Sequence, residues 1–136
     1  MKFFTIKELT KSNEAKRNRI NNVPTKQEEQ NLIALVENIL DPLREAYGKP
    51  IIVTSGYRSE RLNKAIGGAI RSDHVYGCAA DIKTVSDTRE DNKKLFDLII
   101  KLKDEGIITC RQIIDEYNLD WIHVSINNKY NKYKEN

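Results

Sequence analysis

The spacing of apolar positions in this chain changes several times, and each change marks an element. Over the first 22 residues only scattered points such as Ile6, Leu9, Ala15 and Ile20 interrupt a mixed polar background, a pattern of short helices packed onto a larger body. Leu32, Leu35, Val36, Ile39 and Leu40 then recur at helical intervals behind Thr25 and Glu28, which have capping-box spacing, so one long helix is predicted over about 26–47. Pro42 removes a backbone donor and is expected to bend this helix, and Gly48 is placed to stop it. Ile51-Ile52-Val53-Thr54 reads as a β-branched strand that delivers the chain into the turn Ser55-Gly56-Tyr57-Arg58.

Ser59 can cap a short helix ending near Gly67-Gly68, and a loop through Ser72, His74 and Gly77 leads into the apolar run Ala79-Ala80-Asp81-Ile82. Leu95, Leu98, Ile99 and Leu102 form one stripe of a second long amphipathic helix over 87–105. Two strands, 111–117 and 121–126, then flank Asn118-Leu119-Asp120 in a hairpin pattern. There is no internal repeat. The elements add up to an α+β fold, a small antiparallel sheet with packed helices.

At 136 residues and 39% hydrophobic content the chain suits a single domain, 1–136, with 1–22 as a helical packing segment and 127–136 as a flexible tail. The formal net charge of +3 is too small to argue for nucleic acid, and the basic clusters at 11–19 and 129–134 are interrupted. They read as solvated surface, with loose attraction to an anionic polymer as the alternative. Cys78 and Cys110 lack CxxC spacing, so free buried thiols are expected rather than a disulfide framework or a zinc knuckle. Charge enters at Lys7, too early for a signal peptide, and no run reaches membrane-spanning length. The expectation is a monomer made in the cytoplasm with no membrane partner.

The chain has two histidines, His74 and His123, both in segments that form loops or strand ends rather than helix faces. In Trp121-Ile122-His123-Val124-Ser125 the period-two alternation sets Trp121, His123 and Ser125 on one face and the aliphatic residues on the other, so the histidine faces a cleft or solvent. His74 and Asp81 are seven apart with Gly77 between them, and the glycine lets the loop turn both side chains to one point. His74, Asp81 and His123 thus meet the count for a catalytic zinc, three ligands with one position left open. Cobalt, manganese or nickel could use the same donors. Taken separately, a strand histidine and an isolated H-x6-D are weak signals.

The wider pattern is more specific. Ser55-Gly-Tyr-Arg-Ser59, Leu62-Asn63, Gly67-Gly68, Ser72-Asp-His-Val-Tyr-Gly-Cys-Ala-Ala-Asp81 and Trp121-Ile-His-Val-Ser125 follow one another in an order and spacing that resemble the zinc D-Ala-D-Ala peptidases of the M15 type. The resemblance extends to Glu8-Leu9-Thr10-Lys11-Ser12 and is greatest to the short single-domain branch. It implies the fold shared with the hedgehog signalling domain, one zinc ion, and peptidoglycan stem peptides as substrate. Release by phage lysis would bring such a protein to the wall; a non-catalytic zinc-binding module of the same fold is the alternative function.

Carried over by motif, His74, Asp81 and His123 resemble the metal ligands and Arg58 the arginine that steadies the substrate carbonyl. A fixed guanidinium stabilises the charge that develops on an amide oxygen under attack; a surface salt bridge is its other reading. Many relatives place a glutamate base three residues before the last histidine, where this chain has Asp120. The short branch carries it where Glu116 stands, and the hairpin would bring Glu116 beside His123, so Glu116 is the favoured base and Asp120 the other candidate. Ser72 either binds polar groups of the substrate or caps its loop. Gln112 shares the strand parity of Glu116 and is a further substrate contact unless it serves an ordinary sheet hydrogen bond. Trp121 is expected to wall the cleft.

Overall fold

The computed structural model describes residues 1–130, in which six helices and four strands follow the order anticipated above. Helices α1 (Ile6–Thr10) and α2 (Asn13–Arg17) form the N-terminal packing segment. Thr5 and Ser12 cap them, each accepting from a backbone N–H of the first turn, and Leu9 and Ala15 are their buried points.

The predicted long helix is continuous from 26 to 47 but changes pitch. Helix α3 (Lys26–Leu35) opens with the Thr25/Glu28 capping box, a π-helical turn spans Val36–Leu40, and α4 (Asp41–Tyr47) runs on to Gly48. The wide turn lies just ahead of Pro42. Proline cannot donate to the carbonyl four residues back, that of Asn38, and this carbonyl accepts from the backbone N–H of Thr109 at 3.4 Å instead. Asp41 turns its carboxylate to the chain start, accepting from the amides of Lys2 (2.6 Å) and Phe3 (3.0 Å).

Strands β1 (Ile51–Ser55), β2 (Ala79–Thr84), β3 (Gln112–Glu116) and β4 (Trp121–Ser125) form one sheet in the order β1-β2-β4-β3, antiparallel throughout. Helix α5 (Glu60–Ala65) and a 3-10 turn (Asp73–Tyr76) lie between β1 and β2, and α6 (Arg89–Asp104) between β2 and β3. Ala80, Ile82, Ile122 and Val124 are fully buried on one sheet face, in one cluster with Leu95 and Ile99 of α6 and Leu35, Ile39 and Leu43 of the long helix. The alternation in β4 leaves His123 on the other face. Cys78 is buried and Cys110 half-buried, both free.

Of the segment 127–136, expected to be a flexible tail, residues 128–130 bond to the body of the domain. The carbonyl of Asn128 accepts from the Asn31 side chain, Lys129 Nζ lies 2.9 Å from Asp73, and the Tyr130 hydroxyl donates to Glu28 at 2.7 Å. Residues 131–136 lie outside the described residues. No helix among the described residues is long and apolar enough to cross a membrane.

Candidate metal centre

In register, Asp81 on β2 faces His123 on β4, which faces Ile114 on β3. Cross-strand partners share a face, so Asp81 and His123 project together from the sheet side opposite the core. His74 reaches them from the loop. Ser72 caps the 3-10 turn by accepting from the His74 N–H at 3.3 Å, and Gly77 ends it at φ 71°. A Cβ at Gly77 would stand 2.5 Å from the Glu28 carbonyl oxygen, so both the left-handed backbone and the close packing on α3 require glycine there.

The donor atoms converge. His74 Nε2 and His123 Nδ1 lie 3.2 and 3.0 Å from the same Asp81 Oδ1, and one donor atom from each residue falls within 4.8 Å of the others. His74 Nδ1 is 2.7 Å from the Gly56 carbonyl, which can only accept, so Nδ1 carries the hydrogen and Nε2 presents its lone pair. That leaves two acceptors, Nε2 and a carboxylate oxygen, facing each other at 3.2 Å. A positive charge between them, a metal ion or a second proton on the imidazole, makes that contact favourable. Zinc–ligand distances of about 2.0–2.1 Å in a tetrahedron imply donor separations of about 3.3 Å, close to the two distances to Asp81 Oδ1. The residues therefore fit a three-ligand metal site whose outer partner, the Gly56 carbonyl, already orients one imidazole.

Burial pushes the Asp81 carboxyl toward its neutral form, but hydrogen bonding to His123 and His74 outweighs it and holds the group well below the usual carboxylate range. Arg58 lies against the other oxygen, with Nη2 3.6 Å from Asp81 Oδ2. Its fork is fixed from two sides: Nε donates to Ser55 Oγ at 3.1 Å and Nη1 to Asn63 Oδ1 at 3.1 Å. Burial lowers the pKa of this guanidinium and Asp81 opposes the shift. The segment carrying it is pinned: Arg58 N–H donates to the His74 carbonyl at 3.1 Å and Tyr57 N–H to that of Leu9 at 2.7 Å. Gly56 allows this approach, because a Cβ there would stand 2.2 Å from the Leu9 oxygen.

Glu116 is half-buried directly opposite Trp121, on the His123 face and one step along the sheet from it. Asp120 stands at the hairpin corner, where its amide closes the turn onto the Glu116 carbonyl and its carboxylate lies 3.8 Å from Arg89 Nη2 on the open surface. Trp121 shares the His123 face and packs against Tyr117, ring centroids 4.9 Å apart. Gln112 pairs with Ser125 at the far end of the same face. Ser72 caps the His74 turn.

Sequence reasoning gave no role to Asn63 or Asp73. Asn63 lies inside a quoted motif, and its side chain holds both Arg58 and the Ala69 carbonyl. Asp73, next to His74 and buried, is met by Arg111 at 2.8 Å and Lys129 at 2.9 Å, which ties the ligand loop to the chain on both sides of the hairpin.

A sheet-borne carboxylate and imidazole, a loop imidazole and a half-buried arginine beside them form a cluster whose donor atoms could hold a metal ion. The Peptidase M15 family matches residues 2–125, and the chain belongs to that family. It is also similar to the zinc D-Ala-D-Ala carboxypeptidase of Streptomyces albus G, with 50% identity over 44 residues. That match covers 32% of this chain and 17% of the relative.

Proposed function

We propose that this chain is a zinc peptidase that hydrolyses D-amino-acid-containing peptide bonds of peptidoglycan, as a D-Ala-D-Ala carboxypeptidase or an endopeptidase of the stem peptide. The observation that carries the reading is the convergence of His74 Nε2 and His123 Nδ1 on Asp81 Oδ1, with Arg58 on the second oxygen. Family membership and the zinc carboxypeptidase of Streptomyces albus G support it. His74, Asp81 and His123 hold the ion, which when bound supplies Lewis acidity toward a peptide carbonyl and an attacking water. Arg58, already ordered, donates to the carbonyl oxygen as it gains charge, so little reorganisation is needed at the moment of reaction. Glu116 takes the proton of the attacking water and returns it to the leaving amine. Trp121 walls the cleft on the Glu116 side, and Ser72 and Gln112 mark the rest of its polar lining.

The test is mass spectrometry of purified peptidoglycan and its soluble stem peptides after incubation with zinc-loaded protein, with His123→Ala as control. Loss of one alanine mass identifies a carboxypeptidase, and new internal fragments an endopeptidase. An unchanged spectrum with bound zinc would overturn catalysis and leave a metal-binding module.

A further inference from the structure

A cleft of about 790 Å³ runs along the outer edge of β1, walled by α1, α2 and α5. Strand β1 closes one side of the sheet, so alternate backbone N–H and C=O groups along it point away from β2. Among the described residues, no backbone group outside the β1–β2 pair bonds to the main chain of Ile52, Val53 or Thr54. The cleft adjoins the candidate metal centre, since Ser55 and Arg58 line it while Ser55 pairs in register with Asp81 and Arg58 lies 3.6 Å from that carboxylate.

Among the described residues two charges on its wall, Glu8 and Lys11, have no ion-pair partner, and the others are paired. Glu14 is paired with Arg17 at 3.2 Å, Lys83 with Asp87 at 2.9 Å, and Arg58 with Asp81. Glu8 is half-buried, and among the described residues its carboxylate meets the backbone N–H of Thr5 but no cation. Burial raises its pKa above the usual carboxylate value, against a smaller lowering from its bond with Thr5. A partly desolvated carboxylate facing a cleft is matched by a cation arriving with a ligand.

We propose that this cleft binds an extended peptide segment that pairs with the free edge of β1 and sets a side-chain ammonium against Glu8. Backbone pairing supplies affinity that tolerates varied side chains, and the Glu8 contact selects the residue carrying the amine. The inference deepens the peptidase reading and rests on it in identifying the segment as the part of the substrate next to the scissile bond. A stem peptide, with its diamino residue, has both features. A second copy of the chain could also pair with a bare edge, but here helices wall the strand and leave a trough suited to one chain.

The experiment titrates zinc-loaded, 15N-labelled protein with acetyl-L-Ala-D-isoglutaminyl-L-Lys-D-Ala, either with its lysine amine free or with that amine acetylated. The amides of Ile52 to Thr54 should shift, and acetylation should weaken binding about tenfold, the loss expected for a charge-assisted contact with a partly buried partner. Glu8→Gln should bring the preference for the free amine close to unity. Should Glu8→Gln fold poorly, the two peptides on the unaltered protein still decide the matter. Equal affinity for both peptides would overturn the proposal, as would shifts confined to other strands or β1 shifts that arise from concentrating the protein alone. Failure of the peptidase reading is separable, because it appears as absent cleavage while the β1 shifts persist.

Discussion

Exchanging Glu116 for Gln separates the two carboxylates near the hairpin by their expected effects. The substitution keeps the side chain's size and its place opposite Trp121 on the His123 face, but removes the one carboxylate that, among the described residues, register brings to that face beside Asp81. Loss of a general base costs about 10²–10⁴ in rate, or about 3–5 kcal/mol of activation free energy. Asp120→Asn removes one exposed ion pair at 3.8 Å whose two side chains are each 61% exposed, a contact worth under about 1 kcal/mol and acting on folding rather than rate. The assay is D-alanine release from a peptide ending in D-Ala-D-Ala, or fragment release from peptidoglycan, with zinc content measured on the same samples. Glu116→Gln should bind one zinc and turn over at least about a hundredfold more slowly, with Asp120→Asn near the parent. If Asp120→Asn is the dead variant, or Glu116→Gln stays within about threefold of the parent, the assignment from sheet parity is wrong.

Chelation should lower the melting temperature and zinc restore it, because donors brought together by β2, the turn before it and β4, 42 residues further on, converge only in the folded state. At a thousandfold excess over Kd the gain is about 4 kcal/mol; identical melting in chelator and in zinc, by scanning fluorimetry, would count against a preformed site. Gly77→Ala should cost more than about 2 kcal/mol in urea unfolding and weaken zinc binding, since the new Cβ meets the Glu28 carbonyl at 2.5 Å in the loop that carries His74. Burial pushes both thiols up to about 11, so Cys78 and Cys110 should react slowly with a disulfide reagent at pH 8 and rapidly once unfolded. Their folded pKa is raised, so the stability they contribute is complete below the unfolded thiol value, near 8.5, and is lost as pH rises through about 11. A linkage experiment should find unfolding free energy falling across that window, and equal thiol reactivity in native and unfolded protein would refute the burial argument.

What could be read from the residues and what could not divide along one physical line. The convergence of His74, Asp81 and His123 was legible because both histidines fall in segments where local rules dictate direction: strand parity for His123, and a glycine turn between His74 and Asp81. Glu116 was placed on the face of His123 by the hairpin pattern, which depends only on pairing across a short turn. The π-helical turn was not visible, since apolar spacing from Leu32 to Leu40 fits an unbroken helix and the alternative partner for the Asn38 carbonyl, Thr109, is far away in the chain. The turn itself departs from its residue types. Tyr117, Asn118 and Leu119 all hold positive φ, a region that tyrosine and leucine disfavour. Tertiary contacts outweigh that preference: Leu119 is buried, its carbonyl accepts from Asn92 at 2.8 Å, and Tyr117 packs on Trp121. The place of Glu8 was hidden for the same reason, because an acidic residue in a short polar helix reads as solvated surface until the fold sets it on a cleft shared with β1 and α5. Where chemistry depends on a partner distant in sequence, pattern can name the residue but only the fold shows what it meets.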